Sequence, residues 1–340
     1  LSGVVIASLL VGCAQYSGVV RSIPNAREHG IIKIALVAPF SGPASANGLS
    51  LLEGARLAVD DMNVNREGAP WIQLLVLDEN SPTSPRDVAA DPDVVAVVGH
   101  LERGGSETVI AYARSGLPWL AAVPLDASSG PSVPVGGSAP YPLVARATTV
   151  DAAIKGYLSS NGEKNAESGH APSGICSPAG ISAEGGASSP VVVIACGGRV
   201  GEVAAILSQR PPTVEYVCRL GCDSPEIGQW PGAADLTYVT PGPGAGADGA
   251  MLDQIASRAR DAASKRYLAV GYDGAMVASR AIVSASGAKS VTRQSVAEAL
   301  KLTNWAGANG RYGSSGAVGA AIEVRRGYPG QLLATFHDGD

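Results

Sequence analysis

The sequence predicts an α/β protein whose strands form parallel sheets with helices on their faces. Three observations carry the prediction. Nearly unbroken apolar runs of strand length recur along the chain, as strands buried on both faces of a parallel sheet require. Turn-forming loops and amphipathic stretches separate them, so strand, helix and strand alternate through short connections. With 340 residues, the chain has room for two domains of ordinary size.

The first unit spans residues 31–63. IIKIALVAPF (31–40) reads as a buried strand and SGPASANG (41–48) as a loop of turn formers. Leu51, Leu52, Ala55, Ala58, Val59 and Met62 follow at helical spacing, with Glu53, Arg56 and Asp60 on the outward face. Asn47 is placed to cap this helix. A loop between a parallel strand's carboxyl end and a helix N-terminus is where open α/β sheets bind ligands.

WIQLLVLDEN (71–80) reads as the second strand, followed by a loop with a short helix in SPTSPRDVAADP. VVAVVGH (94–100) is the third strand, with LERGGSETVIAYARSG as loop plus helix, and LPWLAAVPL (117–125) is the fourth. ASSGPSVPVGGSAP is a turn-rich surface loop, and YPLVARATTVDAAIKGYLSS returns as a strand with a helix.

The wording of these units is more specific than their periodicity. A strand ending in Pro, then Ser-Gly-Pro, a Gly before the helix, Gly54-Ala55 within it and a closing Asn63 resemble the opening of the type I periplasmic binding proteins. The branch they resemble is that of the leucine/isoleucine/valine-binding proteins of ABC importers. VVAVVGHL with SGLPWLAAV is similar to that branch's second binding-loop unit. YPLVARATTVDAA is similar to the crossover strand that leads into its second lobe.

Between Asn161 and Pro190, 20 of 30 residues are Gly, Ser, Ala or Pro, so no apolar run is long enough to predict a strand. Family members carry a strand, a helix and a ligand-covering Tyr-Gly pair here, which implies a thinner second lobe in this chain. PVVVIACGG (190–198) restores the strand signal, with RVGEVAAILSQ as a helix. VEYVCRLGCD, LTYVTPGPG and a helix MLDQIASRARDAASKRY (251–267) continue the second lobe. LAVGYDGAMVASRAIVSA (268–285) resembles the family's Gly-Tyr-Asp helix that re-enters the first lobe, and the segments from Trp305 onward resemble its closing strands. The resemblance covers residues 31–150 and 190–340. It implies two Rossmann-like lobes with parallel sheets flanked by helices, joined by crossover hinge strands. Lobe 1 is expected at 31–146 plus 272–302, and lobe 2 at 147–271 plus 303–340.

Composition bounds the function. Hydrophobic content of 46% and charged content of 16% describe a chain that can bury a core, not a disordered one. A net charge of −5 with no basic cluster gives no nucleic-acid footprint. Residues 1–13, LSGVVIASLLVGC, are apolar and too short to span a bilayer. They resemble a bacterial lipobox, with Cys13 as the lipidated residue and 14–30 as a tether; a first buried strand is the other reading. Cys176, Cys196, Cys218 and Cys222 then allow up to two disulfides with three possible pairings. They lack the CxxC pairs and neighbouring histidines of a zinc site.

The resemblance places a ligand between the lobes. Asn47 stands where the branch has a cleft-lining aromatic, so it either points its amide into the cleft or caps the helix. Arg103 stands where the family uses a Ser to hold a ligand carboxylate, and a guanidinium can do so bidentately. Gly104, next to it, leaves backbone N–H groups accessible. A solvated Arg103 paired with Glu102 or Glu107 is the alternative. Leu125 stands where the family has a hydroxyl that helps hold an ammonium group. Arg199 matches a ligand-packing aromatic. Asp223, after Gly221-Cys222, matches an acid that receives the ligand's ammonium, since a cation in a dry cleft needs a counter-charge; a surface-loop Asp beside a disulfide is the other reading.

Catalytic signals are thin. No GxSxG, HExxH or Walker-type loop occurs, Ser286 and Lys289 form an SxxK without partner motifs, and Gly242, Gly244 and Gly246 read as a loop. The expected molecule is a monomeric, lipid-anchored, extracytoplasmic solute-binding protein without a cofactor, partnered by an ABC permease. The alternative is a non-transporting sensor or interaction lipoprotein of the same fold.

Overall fold

The computed structural model describes residues 30–65, 68–81, 85–102, 106–125, 138–160, 177–180, 191–195, 215–218, 222–287, 290–328 and 330–337. The first lobe is built on five strands: β1 (Ile31–Ala38), β2 (Trp71–Asp78), β3 (Val94–Gly99), β4 (Trp119–Ala121) and β5 (Tyr141–Pro142). They lie in the order β2-β1-β3-β4-β5, every pairing parallel. The helices are α1 (Ser45–Val64), α2 (Pro85–Ala90), α3 (Ser106–Arg114), α4 (Ala147–Ser160), α5 (Gly249–Arg258), α6 (Lys265–Ser286) and α7 (Arg293–Leu300).

The apolar run of β1 is explained by its two faces. Ile32, Ile34, Leu36 and Ala38 point to a core shared with α1 and α6. Ala35 and Val37 point the other way, into a core with Val97, Tyr112 and Trp119. A strand between two helical layers has no solvent side, so polar alternation is absent. α1 and α6 approach closely because each offers a glycine. A Cβ on Gly54 would lie 2.0 Å from the Leu268 carbonyl oxygen, and one on Gly271 would lie 2.1 Å from that of Leu51.

The second lobe has a mixed sheet of six strands: β6 (Ser177–Gly180), β7 (Val191–Ala195), β8 (Glu215–Cys218), β9 (Thr237–Gly242), β13 (Ala321–Arg326) and β14 (Gln331–His337). The order is β14-β13-β9-β8-β7-β6. β7, β8 and β9 are parallel, while β6, β13 and β14 run antiparallel to their neighbours. The lobe is therefore parallel only at its centre. Val150, Ile154, Tyr157 and Leu158 of α4 pack there on Val217, Val239, Ile322 and Val324. A small antiparallel sheet of β10 (Trp305–Ala306), β11 (Arg311–Gly313) and β12 (Gly316–Val318) lies between α7 and β13 in sequence.

Four expectations need correction. Asn47 does not cap α1: the cap position is Ala44, without a side-chain hydrogen bond. The turn signal starts the helix earlier, so Asn47 falls inside its first turn. Residues 177–180 form a strand in a stretch too poor in apolar residues to predict one; backbone pairing with β7 supplies what composition does not. The helix expected over 251–267 is broken between Arg258 and Lys265. Ala259 is extended, the Arg260 and Ser264 N–H groups donate to Glu53 and Ser50 of α1, and Ser264 caps α6. Finally, Ile255 of α5 and Leu268, Ala269 and Val270 of α6 belong to the first-lobe core, so the expected boundary at 271 falls inside a helix of that core.

The chain passes between the lobes three times. Val144 packs in the first core and Ala145 in the second. The other passages join β9 to α5 and α7 to β13. The last two are tied together by backbone bonds from Gly244 N to the Asn309 carbonyl and from Asp248 N to the Gly307 carbonyl. Asp273 of α6 is buried beneath them, accepting from Ala308 N (2.9 Å), Asn309 N (2.7 Å) and the Tyr312 hydroxyl (3.1 Å). Burial pushes its carboxyl up to about 7, against the pull of those three donors.

Candidate interlobe binding site

The first-lobe wall of the site is the turn from β1 into α1. The Phe40 N–H donates to Asp78 and the Asn80 amide to the Ser41 carbonyl, which ties the turn to the end of β2. Gly48 lets the first turn of α1 sit on the strand end: a Cβ there would lie 1.8 Å from the Pro39 carbonyl oxygen. That close approach buries Asn47 and directs its amide toward the other lobe.

The opposing wall begins at Cys222, bonded to Cys218 at the end of β8, with both sulfurs buried. Asp223 comes next and is also buried. Its Oδ1 accepts from Asn47 Nδ2 at 3.2 Å. Its Oδ2 accepts from the Tyr267 hydroxyl at 2.8 Å and from Thr240 Oγ1 at 2.5 Å. The Asn47 orientation follows from charge, because its carbonyl oxygen would repel the carboxylate. Asn47 Oδ1 is thereby left buried with no hydrogen-bond partner among the described residues.

The network extends outward. Arg266, at the start of α6, donates to Thr240 Oγ1 (2.6 Å) and to Glu323 Oε2 (2.6 Å), and Arg325 Nε donates to the same Glu323 oxygen (2.7 Å). Since Thr240 Oγ1 accepts from Arg266, its own proton is free for Asp223. Burial and the Asp223 charge push the Tyr267 hydroxyl well above its usual range, so it remains a donor. Two more contacts cross the gap: Ser45 Oγ donates to Glu226 (3.3 Å), and Ser224 Oγ, with one proton for two acceptors, lies between the Pro43 carbonyl (2.5 Å) and Glu226 Oε2.

The loop after β3 is shaped from beneath. Glu79, buried at the end of β2, accepts from the Leu101 N–H (2.9 Å) and the Glu102 N–H (3.3 Å) and bonds His100 Nδ1 (3.0 Å). His100 has a positive φ of 56° and bonds the Tyr112 hydroxyl through Nε2 (2.9 Å). The two residues after His100 thus have their backbone donors turned down onto one carboxylate.

Of the candidates read from sequence, Asn47 and Asp223 meet directly. Leu125 is half-buried against the α2–α3 side of the sheet, its carbonyl accepting from the Ala147 N–H at the start of α4. Arg103, Gly104, Arg199 and Cys13 lie outside the described residues, as do Cys176 and Cys196. Sequence reasoning missed Tyr267, Thr240, Arg266 and Glu79. Thr240 carried a faint signal as a polar residue closing an apolar strand, and Glu79 as a second acid at a strand end; the other two carried none. Among the described residues no group of three or more His, Cys, Asp or Glu is disposed to hold a metal, and no helix is long and apolar enough to cross a membrane.

No protein-family model and no curated protein matches the chain. Among solved structures it is similar to the branched-chain amino acid transporter substrate-binding protein LivJ from Streptococcus pneumoniae, in complex with isoleucine. That match has 18% identity over 90% of this chain and 99% of the other, at a TM-score of 0.64. It is similar to the leucine-binding protein LivK from Thermotoga maritima at 19% identity, 90% and 99% coverage and a TM-score of 0.65. It is also similar to an ABC transporter solute-binding protein from R. palustris in complex with 4-hydroxybenzoate, at 16% identity, 91% and 98% coverage and a TM-score of 0.61. At these identities the likeness is one of fold, and with two α/β lobes joined by three passages the chain has the type I periplasmic binding protein fold.

Proposed function

We propose that this chain is an extracytoplasmic solute-binding protein of an ABC importer, working by binding and conformational change without chemistry. The ligand is a small polar molecule, an amino acid or a related carboxylate or amide, held between the lobes. One observation carries the reading: Asn47 of one lobe and Asp223 of the other meet in a buried gap, and Asn47 Oδ1 lacks a donor among the described residues. A buried acceptor without a partner is costly, and a ligand N–H or O–H would relieve it. Arg103 and the backbone at Gly104 are assigned the ligand's carboxylate, Arg199 the position that packs on the ligand, and Leu125 an apolar boundary. The structural neighbours include proteins in complex with isoleucine and 4-hydroxybenzoate, so the fold accommodates both zwitterions and plain carboxylates. Cys13 is assigned the lipid anchor and a membrane permease the partner, with the binding protein acting as a monomer.

Thermal unfolding against a panel of amino acids, small carboxylates, amides and sugars tests the reading. A ligand at 100 times its dissociation constant adds about 2.7 kcal/mol to stability. One chemical class should raise the midpoint by a few degrees, and Asp223→Ala should abolish the shift. A well-folded sample that responds to no member of the panel would sink the proposal.

A further inference from the structure

We propose that the cleft is latched shut from within by Asp223, so that the lobes stay closed without solute. The latch itself needs only the geometry; that a solute must displace the Asn47 amide to reach the acid rests on the solute-binding reading.

Three side chains of the protein already occupy the Asp223 carboxylate. Two of them, Asn47 of α1 and Tyr267 of α6, come from the first lobe, and Thr240 comes from β9 of the second. A carboxylate has about four acceptor positions, so three are filled before any ligand arrives. A cleft acid waiting for an ammonium group would be open to water or to the ligand on its Oδ2 side. Here that side is closed by a phenol and a hydroxyl, and the hydroxyl is itself oriented by Arg266.

Arg266 makes the latch two-sided. It belongs to α6 on the first lobe, yet both its terminal nitrogens are engaged on the second, with Thr240 and with Glu323. The bond to Glu323 is charge-assisted and largely buried, the shorter and stronger class of hydrogen bond. Ser45 to Glu226 and Ser224 to the Pro43 carbonyl close the rim beside it.

Both halves are preorganised. The Cys218–Cys222 disulfide holds the start of the Asp223 loop to β8, and Gly48 seats the Asn47 turn on the end of β1. Closing the latch therefore orders little new chain, which favours the closed state over an open one. A ligand can drive closure only by its differential affinity for the closed form. From a latched start, a solute that displaces the Asn47 amide changes the conformation by rearranging the closed form instead of closing an open cleft.

Hydrogen–deuterium exchange of the full chain without added solute tests the latch, comparing wild type, Asn47→Ala and Tyr267→Phe. The amides of 44–48 and of 222–228 apart from Pro225 should be protected in wild type and exchange at least tenfold faster in each variant. β1 and β3 should stay protected, and Tyr267→Phe deletes a single oxygen, so failure to fold is separable from release of the latch. Wild-type segments that exchange freely and gain protection only with a solute would overturn the latch while leaving solute binding intact. Protection that neither variant changes would also overturn it. A wild type closed in this way and unresponsive to the whole solute panel would uphold the latch and remove the solute-binding reading.

Discussion

The two lobes reach a similar architecture by different physical means. The first has an all-parallel sheet whose central strands are buried on both sides, and its two principal helices touch backbone to backbone through Gly54 and Gly271. The second has a mixed sheet with exposed antiparallel edge residues on β14, a described core of α4 against β8, β9 and β13, and a disulfide that ties the end of β8 to the loop after it. Apolar burial on both sheet faces holds the first lobe, and in the second a disulfide is added to the described core. That contrast predicts where each lobe breaks.

The largest effect is expected in the first lobe at Trp119. It is fully buried, donates its indole N–H to the Gly99 carbonyl at 3.1 Å, and stacks edge-on with His100 and Tyr112. Trp119→Ala should destabilise by about 3–5 kcal/mol, read as a fall in the denaturation midpoint. A loss under about 1 kcal/mol would mean the first lobe does not depend on its core in the way described.

A pH effect follows at the junction of the lobes. The folded Asp273 carboxyl sits near 7 against an unfolded value of 3.8, because burial disfavours its charge. A raised carboxyl binds its proton more tightly when folded, so this group's contribution is most favourable below pH 4. It declines as pH rises from about 4 to 7, then levels. The full span is roughly 4 kcal/mol at 1.36 kcal/mol per unit. Subtracting the midpoint-against-pH curve of Asp273→Asn from that of wild type isolates it. A difference that stays flat between pH 4 and 7, or that rises, would contradict this account.

The second lobe should respond to its cross-link instead. Cys218 and Cys222 enclose a short loop, for which chain entropy gives about 2 kcal/mol. Cys222→Ser should lower stability by that amount, and protease sensitivity should appear around 215–228 while the first lobe's fragments remain intact. Equal loss across both lobes would erase the contrast.

Much of this division was legible in the residues. Apolar runs located β1, β2 and β3 to within two residues, because a strand with two buried faces leaves no other pattern. The edges of the second sheet were harder. Ser177–Gly180 pairs through its backbone, and backbone pairing leaves no compositional trace. At the candidate site, Asn47 and Asp223 were found through family resemblance, but their contact was not. Tyr267 and Arg266 were hidden because they lay in what read as one continuous helix over 251–267.

That break supplies the smallest and most local test. Nothing in DAASKRY forbids a helix: it contains neither Gly nor Pro, and its propensities are favourable. The helix ends because α1 offers better partners, with Glu53 accepting the Arg260 N–H at 2.9 Å and Ser50 the Ser264 N–H at 3.0 Å. Ser264 then restarts it as the N-cap of α6, which turns Arg266 and Tyr267 toward the second lobe. Two contacts to α1 and one cap share the work, so removing the cap alone should cost only about 1 kcal/mol. Ser264→Ala should therefore leave helical content unchanged by circular dichroism and lower the midpoint slightly. A gain in helical signal would mean that the cap alone holds α5 and α6 apart, and that the placement of Tyr267 beside Asp223 hangs on one hydroxyl.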